Sequence, residues 1–566
     1  MALGHAPWLV AGVPIVVACA VAVTGDWLPM GDNAYFSIRA ADVGTSSHPL
    51  LGAWSSGSMS VGVDVNNLGP LQLDLLAVPV RLGWINGTAI GVAATNLAAV
   101  VIAVAAARRI GGTLASVVVA IGATGLAWTL GSQLHEPQQH SAMVLPAYAL
   151  IVLVWALAAG DVRSLPWAVG VASLLVQTHF TYLTWIPILS VVGALACWQV
   201  WRRDGRDDPV GRRSIVVALI VAVVCWIQPL IDQVSGRGNL TNVASAAGSG
   251  AESAGVVHGT RAVAEVVAMP PWWFPPSYRD FDPNAVVGSA WAAAGLAVVG
   301  LVVLSAGFAA HRAGDRVARA GVATAGVTLC LALFAASSQV PTGEFGLVAG
   351  NYRWLWAVAA WTWVSVGFLV LRRVADGGTP DTTTSTPVRA SASVLVLLAV
   401  LAVVPATRAD LVASHVSQEG VARDLLSQLS PLEDLDLVEI DRRGMLFGEP
   451  FSYVVIAHLQ AEGVAFETLL DLDVLRFGTT REPSGDAAGT IRFGNGDDAL
   501  DTRSGEQLVA FSTGLDDAER AELARLRSIE DRSAADADAL AALEWRWRVS
   551  TVGVLFRPAD GPGGTG

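Results

Sequence analysis

Asp32 is the residue of this sequence best placed to do chemistry. It stands in Gly31-Asp32-Asn33-Ala34-Tyr35-Phe36, just after a first apolar run over residues 7–24 (PWLVAGVPIVVACAVAVT). A carboxylate at the mouth of a membrane helix is costly unless it is solvated or used. Used, it is a general base that takes a proton from an acceptor hydroxyl; otherwise it caps a helix or rests in solvent. Asp26 and Asp42 are neighbouring alternatives.

Other polar groups are spaced so that they can serve the same chemistry. His135-Glu136-Pro137-Gln138-Gln139-His140 puts two imidazoles and a carboxylate within six residues. That set can ligate a divalent metal, but the spacing is not His-Glu-x-x-His, and Pro137 interrupts a helix. The expectation is a polar rim of substrate contacts at His135, Glu136 and His140, with no metal and no cofactor assigned. His179, in Gln177-Thr178-His179-Phe180, lines a cavity or packs at the interface. Tyr352-Arg353-Trp354 opens a late apolar run. An arginine there snorkels to lipid headgroups or holds one phosphate by a forked, charge-assisted pair. Trp272 and Trp273, between prolines, stack on sugar faces or anchor at the interface. Asp232, Arg237 and Asn239 add polar groups near them. No Gly-x-x-x-x-Gly-Lys motif exists to cradle a nucleotide, which argues against an ATP-driven pump.

These residues need a scaffold, and composition says which. The chain has 566 residues, 53% hydrophobic and 15% charged, against about 25% charged in an ordinary soluble domain. Apolar runs of roughly 18 residues recur and read as a polytopic membrane protein. The expected spans are 8–24, 87–107, 113–131, 142–160, 165–181, 183–201, 214–231, 288–309, 319–337, 353–371 and 391–407, about eleven. Arg108-Arg109, Arg163, the cluster from Arg202 to Arg213, Arg312/Arg316/Arg319 and Arg372-Arg373 all fall on one side, which is then cytoplasmic. The N-terminus is expected in the cytoplasm, with the C-terminal domain outside a plasma membrane crossed many times. The first run lacks the basic n-region of a cleaved signal and is taken as a retained helix. Cys19, Cys197, Cys225 and Cys330 lie in apolar runs and form no disulfide framework. The net charge of −13 argues against a nucleic-acid partner.

The outer side carries long loops at 25–86, 232–287 and 338–352. Residues 70–82 (PLQLDLLAVPVRL) are too short to span and read as an amphipathic helix lying in the interface. Beyond residue 409 the apolar runs stop. Residues 411–430 and 515–545 are helix-like, as is Phe451 to Gly463. Leu437 to Ile440, Val464 to Phe477 and Thr490 to Phe493 suggest strands. The expected organisation is a transmembrane catalytic domain over 1–408 and a soluble α+β domain over 409–566.

The order of these features resembles the GT-C superfamily of polytopic glycosyltransferases that use polyprenyl-phosphate-linked sugars. The acidic motif Gly31–Ala40 matches the one at the end of their first helix. Asn67-Leu68-Gly69-Pro70-Leu71-Gln72-Leu73-Asp74 is similar to their Pro-containing juxtamembrane helix, and Ala107-Arg108-Arg109-Ile110-Gly111-Gly112 to their basic inner turn. Tyr352-Arg353-Trp354 is similar to their lipid-phosphate contact. The resemblance covers residues 8–370, and a C-terminal domain is also found in actinobacterial arabinofuranosyltransferases of cell-wall synthesis. One departure stands out: many relatives pair two acids in the first loop, and here the second position is Asn33.

The resemblance implies transfer of a pentosyl or hexosyl group from a polyprenyl-phosphate-sugar donor in the lipid bilayer to a glycan or lipid acceptor, with inversion. Asp32 is then the base, Arg353 and Tyr352 hold the donor phosphate, and Asn33, Tyr35, His48, Asn67, His135, Glu136, His140, His179, Trp272 and Trp273 contact substrate. The rival readings are a polyprenyl-linked lipid flippase, which calls for charge deep in several spans, and a non-catalytic membrane scaffold.

Overall fold

The computed structural model describes residues 7–204, 209–268, 290–341, 346–376, 386–408, 415–446 and 448–559. Among them nine helices are long and apolar enough to cross a membrane, the build of a multi-pass membrane protein. Each of the eleven apolar runs lies largely on helix, and two features separate the counts. The stretch Trp84–His135 is continuous apolar helix but turns at Gly112, with φ 68° and ψ −156°. That backbone region is open only to a residue without Cβ, so two span-length segments meet there. Leu165–Thr178 has 14 residues, about 21 Å at 1.5 Å per residue, which is short of a hydrocarbon core of about 30 Å.

The chain forms two compact units: Met1–Gly25 with Leu50–Leu75 and Ala89–Val412, and Asp26–Pro49 with Leu76–Thr88 and Ala413–Gly566. The acidic segment and the end of the helix Leu71–Leu82 therefore group with the C-terminal residues, not with the spans as the boundary at residue 409 would have it.

In the first unit the helix Val144–Ala158 is buried from Val144 through Leu157. It packs on the helices Leu165–Thr178, Ile186–Asp204, Arg316–Ser337 and Leu355–Asp376. In lipid there is no water to drive apolar helices together, so close packing and internal hydrogen bonds must do it. Tyr148 donates its hydroxyl to Val119 O at 3.1 Å, and Trp155 Nε1 donates to Val317 O at 2.9 Å. The Trp155 ring sits 5.1 Å from Trp361 and 5.4 Å from Phe368. Gly122 leaves the room that Tyr148 fills, since a Cβ there would overlap the phenol. The helix Pro209–Ser235 exposes Val216, Leu219, Ile220, Val223, Val224 and Ile227, as a lipid-facing helix does. Beyond the spans, Asn239 clasps the first loop. It accepts from Asn66 N at 2.9 Å and donates to Asn66 O at 2.8 Å, while Asp232 accepts from the backbone of Arg237 and Asn239.

The second unit holds a five-stranded sheet: β1 (Leu437–Asp441), β2 (Ala465–Thr468), β3 (Gly489–Asn495), β4 (Gln507–Thr513) and β5 (Thr551–Pro558). The order is β2-β1-β3-β5-β4. β1 runs parallel to β2 and β3, and β5 antiparallel to β3 and β4. The helix Ser452–Ala461 makes the crossover from β1 to β2. The strand expectation for Val464 to Phe477 holds only to Thr468. Asp471 and Asp473 then stand in the first turn of a helix, Asp471–Phe477, where negative charge is favoured. Residues 515–545 form two helices, Asp517–Ser528 and Ala534–Ser550, the second capped by Ser533.

The segment Asp32–Asp42 is a helix of this second unit, packed on Ser452–Ala461. Tyr35 anchors its middle among Phe36, Tyr453 and Phe477, with ring centroids 5.6–5.9 Å apart. Its hydroxyl donates to Arg476 O at 2.9 Å. Burial pushes the Tyr35 hydroxyl up to about 12, and Tyr453 shifts the same way. An unfolded chain ionises tyrosine near pH 10. Between about pH 10 and pH 12 the unfolded state therefore holds fewer protons than the folded one, and stability falls as pH rises. Tyr35→Phe is expected to cost about 1 kcal/mol at pH 8, the lost hydrogen bond, and to flatten part of the alkaline decline. Unfolding followed by tryptophan fluorescence from pH 8 to pH 12 checks both; an unchanged alkaline slope would place the titrating group elsewhere.

Candidate active site

In the first unit, three separate stretches meet around Arg353. The turn Ala349–Tyr352 runs into the helix Leu355–Asp376, and Arg353 stands at the junction. Its neighbours Tyr352 and Trp354 are buried, and Trp354 stacks on Trp185 at 5.0 Å and 28°. Flanking anchors of that kind fix where the guanidinium points. Arg353 Nη1 donates to Ser141 Oγ. Its charge lies over the Trp356 ring at 5.9 Å and within electrostatic reach of the Glu136 carboxylate.

Ser141 follows His140, whose ring meets His179 edge to face at 4.6 Å. Gln139 Nε2 donates to Thr178 O at 2.6 Å, and Gln72 Nε2 to Pro137 O at 2.5 Å, so the 135–140 segment is tied on two sides. His179 caps the turn Phe180–Leu183 through Nδ1, which accepts from Thr181 N at 3.2 Å. Gly350 presses on His140, where a Cβ would lie 2.6 Å from the imidazole. His135 and Glu136 are buried, 4% and 0% exposed, behind the half-buried His140. His258, on the helix Gly255–Val267, meets Tyr352 at 6.0 Å. The cluster offers one guanidinium beside hydroxyl and imidazole groups and is closed by aromatics. That chemistry suits a phosphate oxygen. Among the described residues no group of three or more His, Cys, Asp or Glu is arranged to hold a metal ion.

The remaining residues expected at the site fall as follows. Asn67 is buried, and its backbone and Nδ2 both donate to Ala53 O, at 2.9 and 3.1 Å. Trp272 and Trp273 lie outside the described residues. Asp32, Asn33, Tyr35 and His48 belong to the second unit. Asp32 is exposed in the first turn of its helix, after Gly31 at φ 54°. Among the described residues no hydrogen bond or ion pair engages its carboxylate. Asn33 is buried in the same turn. His48 Nδ1 accepts from Gly44 N at 2.8 Å and braces a turn. Asp42, the alternative acid, is spoken for: its carboxylate is buried against Arg39 and Arg481, at 2.6 and 2.7 Å.

Sequence spacing does not single out Ser141, Gly350 or His258. For His258 a signal existed: Val256, Ala262, Val263, Val266 and Val267 recur at helical spacing in a segment that composition alone marks as loop.

No family model and no curated protein matches the sequence. Similarity appears among solved structures. Crystalline ArnT from Cupriavidus metallidurans bound to undecaprenyl phosphate superposes with a TM-score of 0.51 and 14% identity, covering 100% of both chains. The apo form of ArnT gives 0.49 and 13%, covering 96% of this chain and 97% of its own. The archaeal oligosaccharyltransferase AglB from Archaeoglobus fulgidus, in complex with an inhibitory peptide and a dolichol-phosphate, gives 0.38 and 11%, covering 85% of this chain and 65% of its own. Over its whole length the chain has a fold similar to that of ArnT.

Proposed function

We propose that this chain is an inverting glycosyltransferase of the GT-C type. It moves a sugar, pentose or hexose, from a polyprenyl-phosphate donor to a glycan or lipid acceptor of the cell envelope, on the outer face of the plasma membrane. The observation that carries the reading is the Arg353–Ser141–His140–His179 cluster in a chain folded throughout like a protein that was crystallised with undecaprenyl phosphate. Arg353 binds the donor phosphate and stabilises the charge that grows on it as the glycosidic bond breaks. The half-buried imidazoles and Ser141 add donors around the same oxygen atoms. Asp32 takes the proton of the acceptor hydroxyl as that oxygen attacks the anomeric carbon. One displacement inverts the centre, and the leaving group is polyprenyl phosphate, so no nucleotide is needed.

The test is transfer of a radiolabelled sugar from polyprenyl phosphate by the purified protein, scored with envelope lipid and glycan fractions as acceptors. Released polyprenyl phosphate and labelled product in equal amounts are expected; neither forming with any donor sugar would overturn the reading. Arg353→Ala removes a contact made in both the bound donor and the transition state, so KM should rise and kcat fall together. A charge-assisted hydrogen bond is worth about 1.5–3 kcal/mol, or roughly 10- to 100-fold in kcat/KM. A wild-type kcat/KM in the variant would leave the arginine a headgroup anchor.

A further inference from the structure

We infer that Arg481 is a positioning residue for the Asp32 base, acting through Asp42. This rests on the role proposed for Asp32. The helix Asp32–Asp42 has 11 residues, about 16 Å at 1.5 Å per residue, and it is pinned at both ends and in the middle by the C-terminal part of its own unit. At the start, Gly31 N donates to Pro450 O at 3.0 Å, and Leu28 N to Glu419 Oε1 at 2.9 Å. Gly31 has φ 54°, and a Cβ there would lie 3.1 Å from His415, so the chain enters the helix through a closely fitted turn. In the middle, Tyr35 is held by rings and by Arg476 O.

The far end carries the charged contact. Asp42 is 1% exposed. Its Oδ2 accepts from Arg39 Nη1 at 2.6 Å, and its Oδ1 from Arg481 Nη2 at 2.7 Å and Gln460 Nε2 at 2.8 Å. Arg481 is itself fixed. Its Nη1 donates to Phe466 O at 2.9 Å, and its guanidinium lies 3.9 Å over the Phe466 ring. Arg481 belongs to the turn Thr479–Arg481, Phe466 to β2 and Gln460 to the helix Ser452–Ala461. Two elements of the C-terminal part thus converge on one carboxylate of the first loop, and β2 holds the arginine of one of them.

Burying a carboxylate between two guanidinium groups is a poor way to gain stability, because desolvation offsets most of the attraction. It is a good way to set orientation, because a misplaced partner strands a charge. Ten residues upstream, Asp32 has no partner of its own among the described residues. Its position comes entirely from the helix, and the helix is held by the domain. A displacement of about 1 Å in a reacting group costs up to about 10²-fold in rate.

The experiment compares Arg481→Ala, Arg481→Lys and Gln460→Ala with wild type in the full-length protein, using radiolabelled polyprenyl-phosphate-sugar. Arg481→Ala is expected to lower kcat about 10- to 100-fold while the donor KM stays within about twofold. Arg481→Lys keeps one charged contact to Asp42 and should recover part of kcat. Hydrogen exchange should quicken over residues 35–42 in Arg481→Ala while β1 and β3 stay protected. Gln460→Ala removes a neutral donor from the same oxygen and strands no charge. It should lower kcat several-fold, and it decides the matter if Arg481→Ala does not fold. Wild-type kcat in both alanine variants, or a raised donor KM with kcat unchanged, overturns the positioning role. Absence of transfer by the wild type overturns the enzyme reading instead, so the two failures are distinct.

Discussion

Asp32→Asn should lower turnover by about 10²–10⁴, the usual contribution of a general base, and leave the fold and donor binding intact. Asparagine keeps the size of aspartate and one acceptor oxygen but accepts no proton at neutral pH. The structure makes this a clean substitution. The Asp32 side chain is exposed, and among the described residues no ion pair or hydrogen bond is lost with its charge. Surface changes of this kind fall within about 0.5 kcal/mol, so a large loss of rate cannot be laid to unfolding. The measurement is the initial rate of radiolabelled sugar transfer beside equilibrium binding of the donor lipid. Near-normal transfer would remove Asp32 as the base. Asp26 and Glu136 would then be tested in turn. Asp42 would not, because its two arginine partners hold both of its oxygens. If all are silent, the enzyme reading yields to a flippase or a scaffold.

How much of this was legible in the sequence depended on the distance over which each feature acts. The spans were legible because a bilayer demands a long apolar run at every crossing, and such a run is a local signal. The break at Gly112 was legible as a polar turn, Arg108-Arg109-Ile110-Gly111-Gly112, for the same reason. Arg353 and the 135–140 segment stood out by residue type in apolar surroundings. Their meeting at Ser141 joins positions 212 residues apart, and no pattern within either stretch encodes it. The sheet was half legible. β1 and β3 were expected from Leu437 to Ile440 and Thr490 to Phe493, whereas β4 and β5 were not. Their flanking helical periodicity (Asp517–Ser528 and Ala534–Ser550) drew residues 515–545 into one helical reading, and the antiparallel pairing that defines them joins Gln507 to Phe556. Least legible was the attachment of the acidic helix to the C-terminal residues. Asp42 and Arg481 are 439 positions apart, and each alone looks like an ordinary surface charge.

The same kind of contact inside the C-terminal part predicts the largest loss of stability. Arg442 is 7% exposed, at the end of β1. Its Nη1 donates to both oxygens of Asp473 at 2.8 and 3.0 Å, its Nη2 to Glu449 Oε1 at 3.0 Å, and its Nε to Ser452 Oγ at 2.6 Å. The guanidinium lies 4.1 Å over the Tyr453 ring. Arg442 therefore answers two buried carboxylates, and Arg476 reaches Asp473 from 3.8 Å. Glu449 has further relief: its Oε2 accepts from Phe451 N and Ser452 N at 2.7 and 3.0 Å, at the start of the helix Ser452–Ala461, where backbone N–H groups are unpaired. Asp473 is fully buried and depends on arginine. Arg442→Met fits the space with an apolar chain but takes the close cation from both acids, leaving Asp473 only Arg476 at 3.8 Å, and breaking a buried pair in that way costs about 3–5 kcal/mol. Set against a total stability of about 5–15 kcal/mol, that is enough to melt the unit near ambient temperature in the marginal case. The triple change Arg442→Met, Glu449→Gln and Asp473→Asn removes the stranded charges, and should recover more than half of the loss although it deletes every ion pair in the knot. Thermal unfolding of the detergent-solubilised full-length chain reads both variants. A single variant more stable than the triple would mean that the acids, not the arginine, are what the fold depends on. The helix that Glu449 caps also carries Tyr453 and Gln460, the residues that hold the acidic segment. Arg442→Met should therefore also speed hydrogen exchange over residues 32–42, and the triple variant should restore it in proportion to its recovered stability.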